Sequence, residues 1–259
     1  MRIRDRRLLP RCELPVSAYC LGLLALEDFA TEMGQPQMTE HSHRFRVETP
    51  MFPLGSVLFP GAILPLNVFE DRYRSLAQRC VGNEELFGVV LIEKGHEVGG
   101  GDVRSSVGCL ARIFEHREFA DGRWALLVRG ETKIEVDEWL PDDPYPVAIT
   151  SDFPDDANDG SIEQGMEVLK RLADLIAKAK SVGYEMPTID PEAFAVGADA
   201  EALGYRIAQL TPSGPFDRQK ILTRRSCAER LSCVEELIIG LEEVLDYPWS
   251  SCRYCRCCT

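Results

Sequence analysis

Residues 52–70 confine the fold more tightly than any other stretch of the chain. They are apolar, carry prolines at 53, 60 and 65, and hold a Phe59-Pro60-Gly61 turn between two runs that read as strands. Proline has no N–H to give to a central ladder, so Pro65 marks an edge strand or an irregular position. The fold therefore opens with β structure, and the first task is to find what covers it.

The period changes at once. Tyr73, Leu76, Ala77 and Cys80 fall at i, i+3, i+4 and i+7, which predicts a short amphipathic helix over 71–80. Residues 86–92 form a continuous apolar run, suited to a strand buried on both faces. Glycines 99 to 101 read as a loop tip between strands. Residues 103–119 and 123–128 flank Asp121-Gly122, a favoured hairpin turn. After Arg129-Gly130, residues 132–137 alternate with period two, which predicts a further strand with Ile134 and Val136 facing the core.

Residues 151–161 hold Pro154, Asp152, Asp155, Asp156, Asp159 and Gly160, and they read as a solvated linker at a domain boundary. Everything beyond reads helical. Ser161-Ile162-Glu163-Gln164 fits a capping box, followed by a stripe of Ile162, Met166, Leu169, Ala173 and Ile176. Asp190-Pro191 places a cap and a proline at the start of a short helix. Leu203, Ile207 and Leu210 mark another, stopped by Thr211-Pro212. A second capping box, Ser226-Cys227-Ala228-Glu229, opens a long helix whose seam is Cys227, Leu231, Val234, Ile238, Leu241 and Leu245. That seam suits packing against the other helices, with a coiled-coil homodimer as the alternative.

Charge argues against one function class. The net charge of −13 is spread as about +1 over residues 1–46 and about −7 over each of 47–150 and 151–259. No segment supplies the cationic surface a general nucleic-acid binder needs. No run approaches the length of a membrane helix. The internal cysteines 80, 109, 227 and 233 sit within apolar patterns, and the thiols are read as reduced in a cytoplasmic setting.

The two ends read as lying outside the fold. Arg2, Arg4, Arg6, Arg7 and Arg11 precede an apolar run that imitates an export signal, but Glu27 and Asp28 interrupt it and no Ala-x-Ala site follows. Residues 1–46 are read as a leader, either disordered or the product of a start codon set too far upstream of Met33, Met38 or Met51. Residues 248–259 form a Cys-rich tail in which Cys252, Cys255, Cys257 and Cys258 are spaced too tightly to wrap a tetrahedral zinc ion.

Several motifs occur in an order that resembles the Lon protease N-terminal domain family. Phe52-Pro53-Leu54, Pro60-Gly61 and Leu64-Pro65-Leu66 are similar to its opening strands and turn, and Glu70-Asp71-Arg72-Tyr73 leads into a helix as there. Val107-Gly108-Cys109-Leu110-Ala111-Arg112-Ile113 and Leu127-Val128-Arg129-Gly130 with Thr132-Lys133-Ile134 resemble its later strands, with Lys133 near the place of a usual arginine. Asp217-Arg218-Gln219-Lys220-Ile221-Leu222 and Glu229-Arg230-Leu231 resemble its helical signature. The resemblance, over about 51 to 246, implies an α+β fold. A PUA-like β-barrel lobe (47–153) would be followed by an α-helical bundle lobe (161–247), as a stand-alone bacterial member without the motor and protease domains.

Chemistry is sparse. No glycine precedes a lysine, so the G-x-x-x-x-G-K-[ST] phosphate loop is absent, and so are a P-x-D-G-x-S-A-G context, G-x-S-x-G and H-E-x-x-H. Of the four histidines, His41 and His43 lie in the leader, leaving His96 and His116. Cys109 and His116 are seven residues apart on one predicted strand, which points them to opposite faces. Asp155, Asp156 and Asp159 lack the last glutamate of a calcium loop.

No catalytic, cofactor-binding or metal residue is therefore assigned, and no cofactor is expected. The expected role is binding of unfolded or extended polypeptide, as an adaptor or regulator beside a separate protease or chaperone, with no nucleic acid and no membrane. Phe59, Ile63, Leu64 and Phe69 are candidate contacts that also suit the core. A PUA-like nucleic-acid module is the alternative. A small-molecule pocket in the β lobe lacks support, because Trp124, Trp139 and Trp249 are widely spaced.

Overall fold

The structure is a computed structural model that describes residues 46–95, 101–155 and 159–247. The leader up to residue 45, His96, Gly99, Gly100, Asp156 and the Cys-rich tail with Trp249 lie outside the described residues. The elements run β1 (Val47–Leu54), β2 (Ile63–Val68), α1 (Asp71–Asn83), β3 (Phe87–Lys94), β4 (Val103–Glu118), β5 (Trp124–Trp139) and β6 (Val147–Asp152). Helices follow as α2 (Ile162–Ser181), α3 (Pro191–Ala195), α4 (Ala200–Leu210), α5 (Pro215–Leu222) and α6 (Cys227–Asp246). This is the α+β order the sequence predicts.

The sheet order is β2-β5-β4-β3-β1-β6, and β6 pairs back onto β5, closing five strands into a ring with β2 outside it. One long strand makes this possible. Residues 124–129 of β5 pair with β2, whereas residues 134–139 pair with β6. The sequence reading divides this strand at Arg129-Gly130, and the structure corrects it. Gly130 is a point of close approach, not a break. Its carbonyl accepts from Gly61 N at 2.8 Å and its N–H donates to Ala62 O at 2.9 Å. A Cβ there would stand 2.2 Å from the Phe59 carbonyl oxygen. The Phe59-Pro60-Gly61 turn thus rests on the backbone of β5 and delivers β2 to its edge position, where Pro65 is tolerated.

Side-chain alternation splits the apolar residues into two clusters. Phe52, Phe87, Val89, Cys109, Leu126 and Val128 join the main core, which continues into the helices. Met51, Val90, Ile134 and Ala148 form a smaller cluster with Leu110, Val136 and Trp139, one that draws on every strand of the ring. Ile134 and Val136 therefore pack in the small cluster rather than the main core, and Lys133, just before them, is turned to the other side.

The helices follow their caps. Tyr73, Leu76, Ala77 and Cys80 of α1 are all buried, as their spacing predicts. Asp190 accepts from Glu192 N and Ala193 N, and Ser161 accepts from Gln164 N at 3.1 Å. The α2 face is rotated from the predicted stripe. Val168, Leu169, Leu172, Leu175 and Ile176 are buried, while Ile162 is 46% exposed. Gly165 is the reason: Leu203 of α4 sits where its Cβ would be, 2.8 Å away, so α4 seats on that side. In α6, Cys227, Leu231, Val234 and Ile238 are buried as predicted, and Leu241 and Leu245 are half-buried. These residues pack in the core of the same chain with α2 and α4. Ser226 caps α6 through Glu229 N at 3.1 Å. Ser226→Ala is expected to cost about 1 kcal/mol in denaturant unfolding, the usual worth of an N-cap.

The helices also reach the sheet. Gln219 Nε2 of α5 donates to Ser105 Oγ at 2.7 Å and to Val107 O at 2.9 Å on β4. Phe59 is fully buried between the lobes, with the Arg218 guanidinium 4.7 Å from its ring centroid and Tyr205 6.1 Å away. Phe59 is a joint of the fold and not a surface contact.

Candidate functional site

Two features stand out: a groove beside β2 and a buried ionic node between the sheet and the helices. The groove follows from strand pairing. β2 ends the sheet order, with β5 as its strand neighbour on one side. In β1, residues 47–50 pair with β6, and residues 51–54 pair with β3. The second half of β1 thus has no second strand beside it. Between these two margins lies a cavity of about 230 Å³, bordered by Pro53, Leu54, Leu64, Leu66, Phe69 and Tyr73 among others.

Its lining is mostly apolar, with Ser56, Asn67 and Glu70 as polar members, and is ordered by aromatic stacking. Phe52 stacks on Tyr73 at 4.2 Å between centroids, with 13° between the ring planes. Arg72 lies 4.5 Å from the centroid of the Tyr73 ring and pairs with Glu70 at 3.1 Å. Burial pushes the Tyr73 hydroxyl up to about 12, with Arg72 opposing, so the phenol is neutral at physiological pH. Phe69 stands at the mouth, 55% exposed. Ile63 and Leu64 are half-buried. Of the four candidate contacts, Leu64 and Phe69 border the cavity, while Phe59 and Ile63 do not. Pro53 and Pro65 lack N–H groups, which blunts both margins against uncontrolled strand pairing.

The ionic node corrects the reading of residues 151–161 at one position. Asp155 is not solvated. Lys133 Nζ donates to Asp155 Oδ1 at 2.5 Å, and Arg230 Nη2 donates to Asp155 Oδ2 at 2.5 Å. Lys133 Nζ also donates to Arg224 O at 2.7 Å. Arg230 is fully buried and its guanidinium lies 4.0 Å from the Tyr205 ring centroid. Phe153 is clasped by Lys133 and Arg225, at 5.0 and 4.5 Å. Burial raises the Asp155 carboxyl, but hydrogen bonds and charge from Arg230 and Lys133 outweigh it and hold the group below the usual carboxylate range. Nearby Glu201 is pushed up, chiefly by burial. The node joins β5, the connection after β6 and α6. It is a structural fastening rather than a reactive centre.

The remaining candidates do not converge. Cys109 is fully buried and His116 is exposed, and they pair across β5 with Lys133 and Leu126 respectively. Burial raises the thiols of Cys80 and Cys109, Cys80 to about 12, so both stay protonated and unreactive. Among the described residues, no group of three or more His, Cys, Asp or Glu is placed to hold a metal ion, and no helix is long and apolar enough to cross a membrane. A second cavity of about 250 Å³ is bordered by Thr49, Thr150, Leu110 and Ile134. Trp124 and Trp139 border neither cavity.

Comparison with known proteins gives one consistent answer. The profile of the ATP-dependent protease La (LON) substrate-binding domain matches residues 48–239. The Lon protease of Flavobacterium johnsoniae is 28% identical over 188 residues, which is 70% of this chain and 21% of that protein. The Lon protease of Anaeromyxobacter dehalogenans is 27% identical over 223 residues, 83% of this chain and 26% of that protein. The chain thus spans about a quarter of the length of these relatives. Among solved structures, a Lon N-terminal domain protein from Xanthomonas campestris superposes with a TM-score of 0.56 at 27% identity, covering 73% of this chain and 98% of that one. The N-terminal domain of a Mycobacterium avium complex Lon protease shares the fold at 17% identity, with a TM-score of 0.54, covering 74% of this chain and 98% of that one.

Proposed function

Since the chain belongs to the ATP-dependent protease La (LON) substrate-binding domain family, we propose that it captures extended or unfolded polypeptide in the groove between β1 and β2. The observation that carries this reading is the groove itself, mostly apolar and flanked on both sides by strand margins. Such a site accepts an extended segment through backbone hydrogen bonds and side-chain pockets, without titrating groups. In this reading the chain holds its client and leaves cleavage to others, because its sequence carries neither the phosphate loop nor the serine–lysine context. It then serves as an adaptor or regulator that presents clients to a separate protease or chaperone in the cytoplasm.

Fluorescence anisotropy of a labelled unfolded protein tests this. Saturable binding that persists at high salt is expected, because apolar burial is not screened. Phe69→Ala, at the exposed mouth, is expected to weaken binding roughly fivefold, the loss of one modest hot-spot contact. Its melting temperature should stay unchanged. An affinity unmoved by this substitution would place the client elsewhere, and an absence of binding would remove substrate capture as the function.

A further inference from the structure

The outward face of the sheet formed by β2, β5 and β4 carries chemistry the groove does not use. Strand register sorts it into three rows. Arg129 pairs with Ile63 and Arg112, Leu127 with Pro65 and Glu115, and Ala125 with Asn67 and Arg117. Directly paired residues share a face, and each of these nine is exposed or half-buried. The residues between them on β5, Trp124, Leu126 and Val128, are buried against the core. The nine positions hold three arginines and one glutamate, in a chain whose net charge is −13.

The arginines are not equivalent. Arg112 is paired with Glu131 at 2.9 Å. Arg117 and Arg129 instead lie over exposed aromatic rings. Arg129 is 5.6 Å from the Phe114 centroid and Arg117 is 5.1 Å from the Phe119 centroid. Neither has a carboxylate partner among the described residues. Phe114 and Phe119 are 44% and 36% exposed. Each guanidinium therefore lies over a ring, and no carboxylate among the described residues takes up its N–H groups.

We infer that this face docks an extended segment of a partner protein that carries two carboxylates four residues apart around an apolar residue. The spacing comes from the sheet. The Arg129 and Arg117 rows lie four residues apart, about 13 Å along the strand. In an extended peptide, residues i and i+4 share a face and span the same distance. The residue between them on that face meets Leu127, with Phe114 and Phe119 at the two ends. A polyphosphate fits less well, because Glu115 stands in the Leu127 row between the two cations and breaks a continuous positive track. Pro65 and Asn67 of this face also border the groove, but Arg117, Arg129, Phe114 and Phe119 do not, so the partner site adjoins the client site without sharing its anchoring residues.

The test uses the whole chain and short labelled apolar peptides with Glu, Gln or Lys at the two positions. The Glu peptide is expected to bind about tenfold tighter than the Gln peptide, two exposed ion pairs contributing a few-fold each. The gap should close at high salt. The double variant Arg117→Ala and Arg129→Ala should abolish it while the melting temperature is retained. Equal binding of the Glu, Gln and Lys peptides would overturn the inference, yet would leave client capture in the groove untouched. Moving the two glutamates to adjacent positions without loss would also overturn it. Tight binding of a homopolymeric RNA that the double variant loses would overturn it in favour of a nucleic-acid partner.

Discussion

Asp155→Ala is expected to destabilise the protein by about 3–5 kcal/mol, the usual cost of removing one partner from a buried ion pair. The one carboxylate is shared by two buried cations, Lys133 and Arg230, whose side chains are 4% and 0% exposed. Without it, both charges remain in the interior facing each other, and Arg230 cannot shed its proton. Domains of this kind have stabilities of about 5–15 kcal/mol, so the loss is a large share of the whole. Thermal unfolding should move down by roughly 6–20 °C. Because Asp155 fastens β5 and the end of β6 to α6, hydrogen exchange should accelerate first at β6 and the start of α6. A shift of only a few tenths of a kcal/mol would mean that the node is solvated and weak.

The same node sets an acid limit. The Asp155 carboxyl lies below the ordinary carboxylate value of about 3.9. A depressed folded-state pKa gives stability that is fully present above the unfolded value and is lost as pH falls through the folded value. The difference between wild type and Asp155→Asn should therefore be flat from neutral pH down to about 5 and shrink below about 4. A difference that instead grew toward acid would contradict the assignment.

Gly130→Ala is the second large effect. The added methyl would meet the Phe59 carbonyl oxygen at 2.2 Å and the carbonyl carbon at 2.9 Å, with the buried Cys109 Sγ at 3.1 Å, which leaves little room to yield. A cost of about 3 kcal/mol is expected, at the upper end for overpacking. The consequence reaches function through position. The turn that rests on Gly130 sets where β2 runs, and β2 forms one wall of the groove. Client affinity should fall along with stability in this variant, whereas Phe69→Ala should lower affinity alone. Gly88→Ala offers a comparison, since its nearest neighbour is the flexible end of Met51 at 2.5 Å. It should cost less. If the two glycine variants proved equally mild, the turn would not depend on Gly130.

Much of the fold was legible in the chain because its signals are local. Apolar spacing located α1 and α6 and their buried faces, capping residues located the starts of α2, α3 and α6, and Pro60-Gly61 located the reversal into β2. A sharper reading would have caught Arg230, which stands three residues after Cys227 and four before Val234 and so lies on the buried seam. A charge on such a seam asks for a partner. That partner, Asp155, is 75 positions away, and nothing in its own neighbourhood of acidic and turn residues distinguishes it from solvated linker.

The sequence by itself determined where most helices and strands form, the buried faces of α1 and α6, and which enzyme motifs are absent, because periodicity, caps and motif spacing act over a few residues. Only the tertiary structure decided that β5 is one strand serving two neighbours, that the margins of β1 and β2 frame a groove, and that Asp155 is held by Lys133 and Arg230. Those outcomes depend on which distant backbones approach within a few ångströms. Close approach at Gly130 and Gly165, and charge pairing in the interior, are properties of the packed chain and leave no period behind.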